Sequence, residues 1–436
     1  MMERIKFLLV FIFLVLCTFG HSQEVLTLKD AISLAVKNNF NILIAQNNAI
    51  IDETNNTKGN AGMLPDLSLN FGRSNNLNNT KQEFFSGDVR EGSGVNTNNL
   101  NANLLLNWTL FDGMAMFINR DRLLEMEEMG KLNVKIQIEN TIGLVMLAYY
   151  NIEQNKRRIE IIEKAIEISK ERHALATLKK NIGTGTGLEI LQAEVDINAD
   201  STALIRQIQV LKSSMIQLNT VMGRSPENAF STVEEKTEKT NFDYGILLQK
   251  SMERNQQLKL ADKNTSLASL RIRQLEASQY PSLDLNAGYN FTRFVAEIGV
   301  LKFNQNRGFS LGLTGRWNIY GGGNNKREIQ VARLNMETTK LNKDQTILNL
   351  SSDLYESYND YVTSSELIKM EEKNILIAKQ NLDITTDKMR LGTIPSLELR
   401  QAQLNLVDAE FRKISAEFEA RVSALDLMRL SGGLMN

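Results

Sequence analysis

Hydrophobic and polar residues alternate in four short stretches of the chain. The first sets Leu67, Leu69 and Phe71 against Ser68 and Asn70, and the second sets Leu104, Leu106, Trp108 and Leu110 against Asn103, Asn107 and Thr109. In the third, Leu283, Leu285, Ala287, Tyr289 and Phe291 oppose Asp284, Asn286, Gly288 and Asn290. In the fourth, Leu311, Leu313, Trp317 and Ile319 oppose Ser310, Thr314, Arg316 and Asn318. A period of two marks a strand with one apolar face, which predicts strands near 65–74, 101–111, 281–292 and 308–320. The segments 75–100 and 293–307 are rich in Asn, Gly and Ser and read as long loops.

Elsewhere the pattern is helical. Between Met114 and Lys180 there is no proline and only Gly130 and Gly143, and the stretch from Asn325 to Arg390 has neither residue. Helices over 114–182 and 323–391 follow, each on the order of 100 Å long at 1.5 Å per residue. A glycine-bearing turn leads from each into a return helix, 187–223 and 396–431. Leu397, Leu404, Phe411, Phe418 and Leu425 recur every seven residues, as do Leu354, Tyr361, Ile368, Ile375, Leu382 and Met389. Heptads of this kind require partner helices. Shorter helices are predicted over 27–62, opened by a capping box at Thr27 and Asp30, and over 242–279.

These elements occur twice. Trp108, Gly183 and Gly223 are answered by Trp317, Gly392 and Gly432 at one shared offset of 209 residues. Pro65 is answered by Pro281, and only the stretch from proline to tryptophan changes length. The chain therefore divides into repeats 23–232 and 233–436, each a helix, two strands, a long helix and a return helix.

Composition narrows the function. The 436 residues include four prolines, one cysteine and two histidines, and 50 basic residues balance 51 acidic ones. No basic field exists to hold nucleic acid. Residues 1–22 have a basic start, an apolar run from Phe7 to Phe19 and small residues at Gly20 and Ser22, which is the pattern of a cleaved signal peptide. Cys17 follows Leu16 instead of a small residue, which argues against lipidation, and its removal leaves a chain without cysteine. His173 then stands alone on a heptad face, where packing explains it, so no metal, cofactor or catalytic constellation is expected and the chain reads as no enzyme. The run Gly183-Thr184-Gly185-Thr186-Gly187 lacks the Gly-Lys-Ser/Thr ending of a phosphate loop. Tyr149 and Tyr358, at equivalent positions of the long helices, read as knobs in a helical wall.

The strands admit two readings. One is a pair of hairpins on a soluble core, in a non-conducting periplasmic tether or adaptor. The other is a transmembrane barrel wall, apolar toward outer-membrane lipid and polar toward a wet lumen. Trp108, Phe111, Trp317 and Tyr320 gather at the strand ends as an interfacial girdle would, which favours the barrel. Four strands cannot close one, because the smallest has about eight, so the chain must oligomerise.

Three paired signatures carry a family resemblance. They are the strand-to-helix junction Trp108-Thr109-Leu110-Phe111-Asp112-Gly113, repeated as Trp317-Asn318-Ile319-Tyr320-Gly321-Gly322; the turn Gly183 to Glu189, repeated as Gly392 to Glu398; and the helix ending Leu218 to Gly223, repeated as Leu427 to Gly432. In this order, twice, they resemble the TolC-like outer-membrane efflux proteins. The resemblance implies a mixed α and β membrane protein in which a homotrimer builds a 12-stranded barrel on a periplasmic tunnel of coiled-coil hairpins. It further implies an exit duct in the outer membrane of a Gram-negative bacterium, serving a tripartite efflux pump or type I secretion. Its partners would be a periplasmic adaptor and an inner-membrane transporter of RND, ABC or MFS type.

By the same resemblance the helix tips at Gly183, Thr184, Gly185, Gly187, Gly392, Thr393, Ile394 and Pro395 would dock the adaptor. Two acidic positions that narrow the family's periplasmic mouth fall on Glu398 and Gln401, so one acid of the pair is matched. Three copies of Glu398 would form an anionic ring, with Arg390 and Arg400 as neighbouring partners. A basic residue that ties the tip shut in the family is replaced by Ile394.

Overall fold

The computed structural model describes residues 24–235 and 240–434. Residues 1–22, read above as a signal peptide with Cys17 and His21 inside it, lie outside the described residues. Along the chain run β1 (Glu24–Leu26), α1 (Leu28–Asn38), α2 (Phe40–Asn55), β2 (Asp66–Glu83), β3 (Val89–Asp112), α3 (Ala115–Asn181) and α4 (Gly187–Val221). They are followed by β4 (Phe230–Thr232), α5 (Tyr244–Arg254), α6 (Gln256–Ala277), β5 (Ser282–Ala296), β6 (Phe303–Arg316), α7 (Asn324–Arg390) and α8 (Ser396–Leu430).

Two compact units cut across the sequence repeats. One comprises residues up to Ala45, Val134–Gln256 and Ile347 onward, and the other Gln46–Asn133 with Gln257–Thr346. Each repeat thus contributes to both, and each long helix has residues in both.

The first unit is helical, with a short parallel pair, β1 on β4. Its core gathers Leu26, Val145, Tyr149, Ile152, Leu218, Met222 and Phe230. Burying a side chain of this size stabilises by about 1.5–3 kcal/mol. Tyr149 is fully buried, and its hydroxyl lies 3.0 Å from the Leu26 carbonyl and 2.7 Å from that of Val233 while accepting from the Val233 N–H at 3.0 Å. It is a core residue that ties the strand pair to α3, and burial pushes its phenol up to about 12.

The short helices are not continuous. The helix predicted over 27–62 breaks at Asn39 and the one over 242–279 breaks at Asn255. At the first break Asn39 Oδ1 accepts from the Asn41 N–H at 2.9 Å, and its amide donates to the Val221 carbonyl at the end of α4 at 2.8 Å. At the second, the Asn255 amide donates to the Leu430 carbonyl at the end of α8 at 3.2 Å. Each break satisfies a carbonyl that a helix end leaves without an internal partner. Gly223, at φ 68°, completes the first joint, because a Cβ there would stand 2.6 Å from the Asn38 carbonyl oxygen.

The second unit holds a four-stranded antiparallel sheet in the order β2-β3-β5-β6. The strands are longer than alternation alone predicts. The segments expected as loops, 75–100 and 293–307, largely continue the ladders, leaving connections of 84–88 and 297–302. Asn, Ser and Thr pair there through the backbone, and with neither face apolar the period of two disappears. β6, by contrast, ends at Arg316, short of the predicted 320, because its partner β5 begins at Ser282 and leaves Trp317 to Tyr320 nothing to pair with.

Register aligns the apolar residues in rows. Leu67, Leu106, Ala287 and Leu311 form one, and Leu69, Leu104, Tyr289 and Phe309 the next. Among the described residues nothing covers this face; Leu69 is 73% exposed and Leu313 65%. Beside the sheet, Ala115 and Ile118 of α3 pack on Leu267, Leu270 and Ala277 of α6. Among the described residues no helix is long and apolar enough to cross a membrane.

Candidate functional site: the hairpin tips and the sheet girdle

Both tip turns end their outgoing helix on a glycine in the left-handed region, Gly183 at φ 81° and Gly392 at φ 78°. In the first, Thr184 N–H donates to the Lys179 carbonyl at 2.9 Å and Gly183 N–H to that of Lys180 at 3.0 Å. In the second, Thr393 N–H donates to Lys388 and Gly392 N–H to Met389, each at 3.0 Å. These are the paired bonds that satisfy the last carbonyls of a helix. Gly185 is squeezed against the end of α3, where a Cβ would lie 2.8 Å from that of Lys179.

The turns differ in how the return helix begins. Thr186 caps α4 through a reciprocal box with Glu189, whose carboxylate accepts from the Thr186 N–H at 3.5 Å. The equivalent of Thr186 is Pro395, which has no side-chain cap to offer. Glu398, the equivalent of Glu189, therefore has no capping partner and stays exposed. Gln401 is also exposed and bonds Asn405 at 2.9 Å. Ile394 is half-buried against Leu382, Met389, Leu399, Ala402 and Leu406, so apolar packing stands where the resemblance places a basic residue.

Within one chain neither neighbouring arginine pairs with Glu398. Arg390 sits 3.8 Å from Asp387 on its own helix. Arg400 makes a two-pronged ion pair with Asp200 of α4, both contacts at 2.8 Å, and its Nε is 3.6 Å from Asp196. The Asp200 carboxylate holds the Arg400 pKa above its ordinary value. Ser169 of α3 donates to Asp200 at 2.8 Å, Gln403 of α8 donates to Ser169 at 3.0 Å and to the Ala165 carbonyl at 2.6 Å, and Arg172, 2% exposed, pairs with Asp196. A buried polar cluster so fastens α8 to the first hairpin.

Sequence reasoning missed Ser169, Arg172, Asp196, Asp200 and Gln403. The repeat held the signal: the positions equivalent to Ser169, Arg172, Asp196 and Asp200 are Ala378, Asn381, Asn405 and Ala409, and Leu191 answers Arg400. Charges confined to one copy mark a contact made once.

At the sheet, Trp108 and Trp317 are anchored alike. Each indole N–H donates at 3.0 Å to a backbone carbonyl just before the strands, Met63 and Gln279 respectively. Phe111 is outward beside Leu283, whereas Tyr320 lies beyond β6 and is fully open. The described residues contain no group of three or more His, Cys, Asp or Glu able to hold a metal ion.

Comparison with known proteins fits these features. A sequence profile described as Outer membrane efflux protein matches residues 247–433. Outer membrane protein TolC of Escherichia coli (strain K12) is 22% identical over 364 residues, 80% of this chain and 73% of the relative. Outer membrane efflux protein BepC of Brucella suis is 19% identical over 332 residues, 75% of this chain and 71% of the relative. Among solved structures, the outer-membrane channel OprN superposes with a TM-score of 0.78 at 16% identity, covering 93% of this chain and 90% of its own. The Campylobacter jejuni CmeC outer membrane channel gives 0.79 at 14%, covering 93% and 85%. With the doubled signatures and the open sheet, these likenesses make the chain similar in sequence to outer-membrane efflux proteins, TolC among them, and give it the fold of outer-membrane channels.

Proposed function

We propose that three copies of the chain form a passive exit duct in the outer membrane. The observation that carries this reading is the sheet, whose edges β2 and β6 are open and whose apolar face is uncovered among the described residues, in one chain with two long helical hairpins. Pairing β6 of one copy with β2 of the next removes every edge, and three times four strands give a barrel of 12. The repeats 23–232 and 233–436 each supply two strands and one hairpin, the latter to a periplasmic tunnel.

The tips meet a periplasmic adaptor, which couples the duct to an inner-membrane transporter. Substrate moves through the polar lumen without chemistry on this chain. Glu398, released from capping, presents a carboxylate at the mouth, and three copies favour cations. Widening the mouth moves α8 away from the first hairpin, which breaks the Arg400–Asp200 pair.

Planar-bilayer recording of the purified protein, with crosslinking of its oligomer, tests the duct. Cation-selective conductance from a crosslinkable trimer is expected, and a monomer without conductance sinks the idea. A cysteine placed at Thr393 or Thr184 and crosslinked in cells should capture the adaptor. Leu313→Arg, on the lipid-facing side, should destabilise by about 2–4 kcal/mol near mid-bilayer and impair assembly.

A further inference from the structure

The sheet carries cations and no anions over most of its surface. No Asp or Glu occurs in 67–82, 92–111, 285–296 or 303–316, yet Arg73, Arg293 and Arg307 all lie there and are all exposed. Register puts the three on the apolar face. Arg73 follows Phe71 by two on β2 and pairs with Leu100, which pairs in turn with Arg293, and Arg307 pairs with Phe291. A residue whose purpose was ion selection would face the other way, with Asn103, Asn286 and Asn290.

Their height is set by the ladder. From Leu285, in the row of Trp108, to Arg293 is about 27 Å along the strand, or about 20 Å along the membrane normal at a tilt of about 40°. An apolar band is about 25 Å tall, so the guanidiniums sit at its far edge, on the side of the 84–88 and 297–302 connections and away from the helices. Arg73 and Arg293, two strands apart, are about 10 Å from each other, and Arg293 and Arg307 are diagonal neighbours at about 7–8 Å. None of the three has a carboxylate partner among the described residues; Arg293 instead stacks over the Phe303 ring at 5.6 Å.

Unpaired guanidiniums at an apolar boundary call for an anion that arrives with its own acyl chains. We propose that Arg73, Arg293 and Arg307 form a binding surface for the phosphate groups of a phosphorylated glycolipid of the outer leaflet, whose acyl chains lie on the Leu69, Tyr289 and Phe309 rows below. Arginine suits this role because its planar fork binds phosphate with two parallel bonds and is weakly hydrated. The outer leaflet follows from the position of the three residues opposite the helices, and so rests on the duct reading above.

The test uses the full-length protein in nanodiscs of phosphatidylethanolamine doped with bisphosphorylated lipid A, with its dephosphorylated form or with phosphatidylglycerol. Native mass spectrometry after detergent release counts retained lipid. Wild-type protein should retain phosphorylated lipid A over both others, and the triple variant R73Q/R293Q/R307Q should lose that retention by on the order of fivefold per arginine. R73K/R293K/R307K should keep part of it. Equal retention of the phosphorylated and dephosphorylated forms by wild-type protein overturns the proposal without need of any variant, and preference for phosphatidylglycerol overturns the choice of lipid. A chain that conducts in planar bilayers yet shows no preference defeats this inference alone, whereas a chain that inserts into no bilayer defeats the duct reading as well.

Discussion

The first hairpin closes on Thr186 and Glu189, which cap each other, and the second closes on Pro395 and Glu398, which do not. Two turns of common origin thus spend the same glutamate differently: in one it completes a helix start, in the other it is left facing solvent. The same split runs through the helices behind them. Arg400 and Asp200 meet across α8 and α4, while Leu191 and Ala409, at the equivalent positions, are apolar. A repeat can be read for stability where its copies agree and for mechanism where they part.

The comparison breaks most readily at Arg400. Arg400→Ala leaves Asp200 half-shielded without its partner and should destabilise the tip by about 3 kcal/mol, seen as faster amide exchange over 396–406 and more frequent channel opening; Leu191→Arg should change neither. Next, Ile394→Ala should cost about 2 kcal/mol by opening a void under the second turn, measured by denaturant unfolding. Thr186→Ala removes the first turn's cap and should cost about 1 kcal/mol. The reverse exchange, Pro395→Thr, should stabilise slightly and draw Glu398 back to the helix start, so cation selectivity should fall toward that of Glu398→Gln in reversal-potential measurements. Were Pro395→Thr to leave selectivity unchanged, the idea that a missing cap frees the carboxylate would fail.

The smallest effect lies away from the tips. The Tyr149 phenol titrates near 12 in the folded chain against about 10 when unfolded. A raised folded value means its contribution is complete below pH 10 and is lost as pH climbs toward 12. Tyr149→Phe should lose about 1 kcal/mol at neutral pH and show a shallower alkaline loss of ellipticity than the parent.

How much of this was written plainly in the sequence depends on which forces set each element. The heptad of α7 comes from burial, which puts Leu354, Leu382 and Met389 inside, and burial leaves a period. The α8 series does not share this, since Leu397 is 70% and Leu404 37% exposed, while the sheet's rows are legible because successive strand residues face opposite sides. The breaks at Asn39 and Asn255 come from single amides reaching helix ends far along the chain, a contact that no local window contains. The outer halves of β2 and β3 are held by backbone bonds between Asn, Ser and Thr, which leave no alternation to read. Of the candidate site, Glu398 is legible through the resemblance of its turn, and Arg400 as a charged neighbour of it. Asp200 was passed over because a lone carboxylate on a polar helix face carries no sign of its partner.

The pairing of β3 with β5 has a consequence for biogenesis. Hairpins β2–β3 and β5–β6 can each zip locally, but the ladder that joins them must wait until α3, α4, α5 and α6 have all been made. Through that interval β3 shows an unsatisfied edge, and such edges invite mispairing with other chains. Only one alignment brings Leu104 opposite Tyr289 and Trp108 opposite Leu285. A shift by a single residue would turn aromatics toward water and asparagines toward lipid. The order of strands along this polypeptide therefore leaves β3 open to mispairing until β5 and β6 arrive, and the apolar rows are what single out the right register.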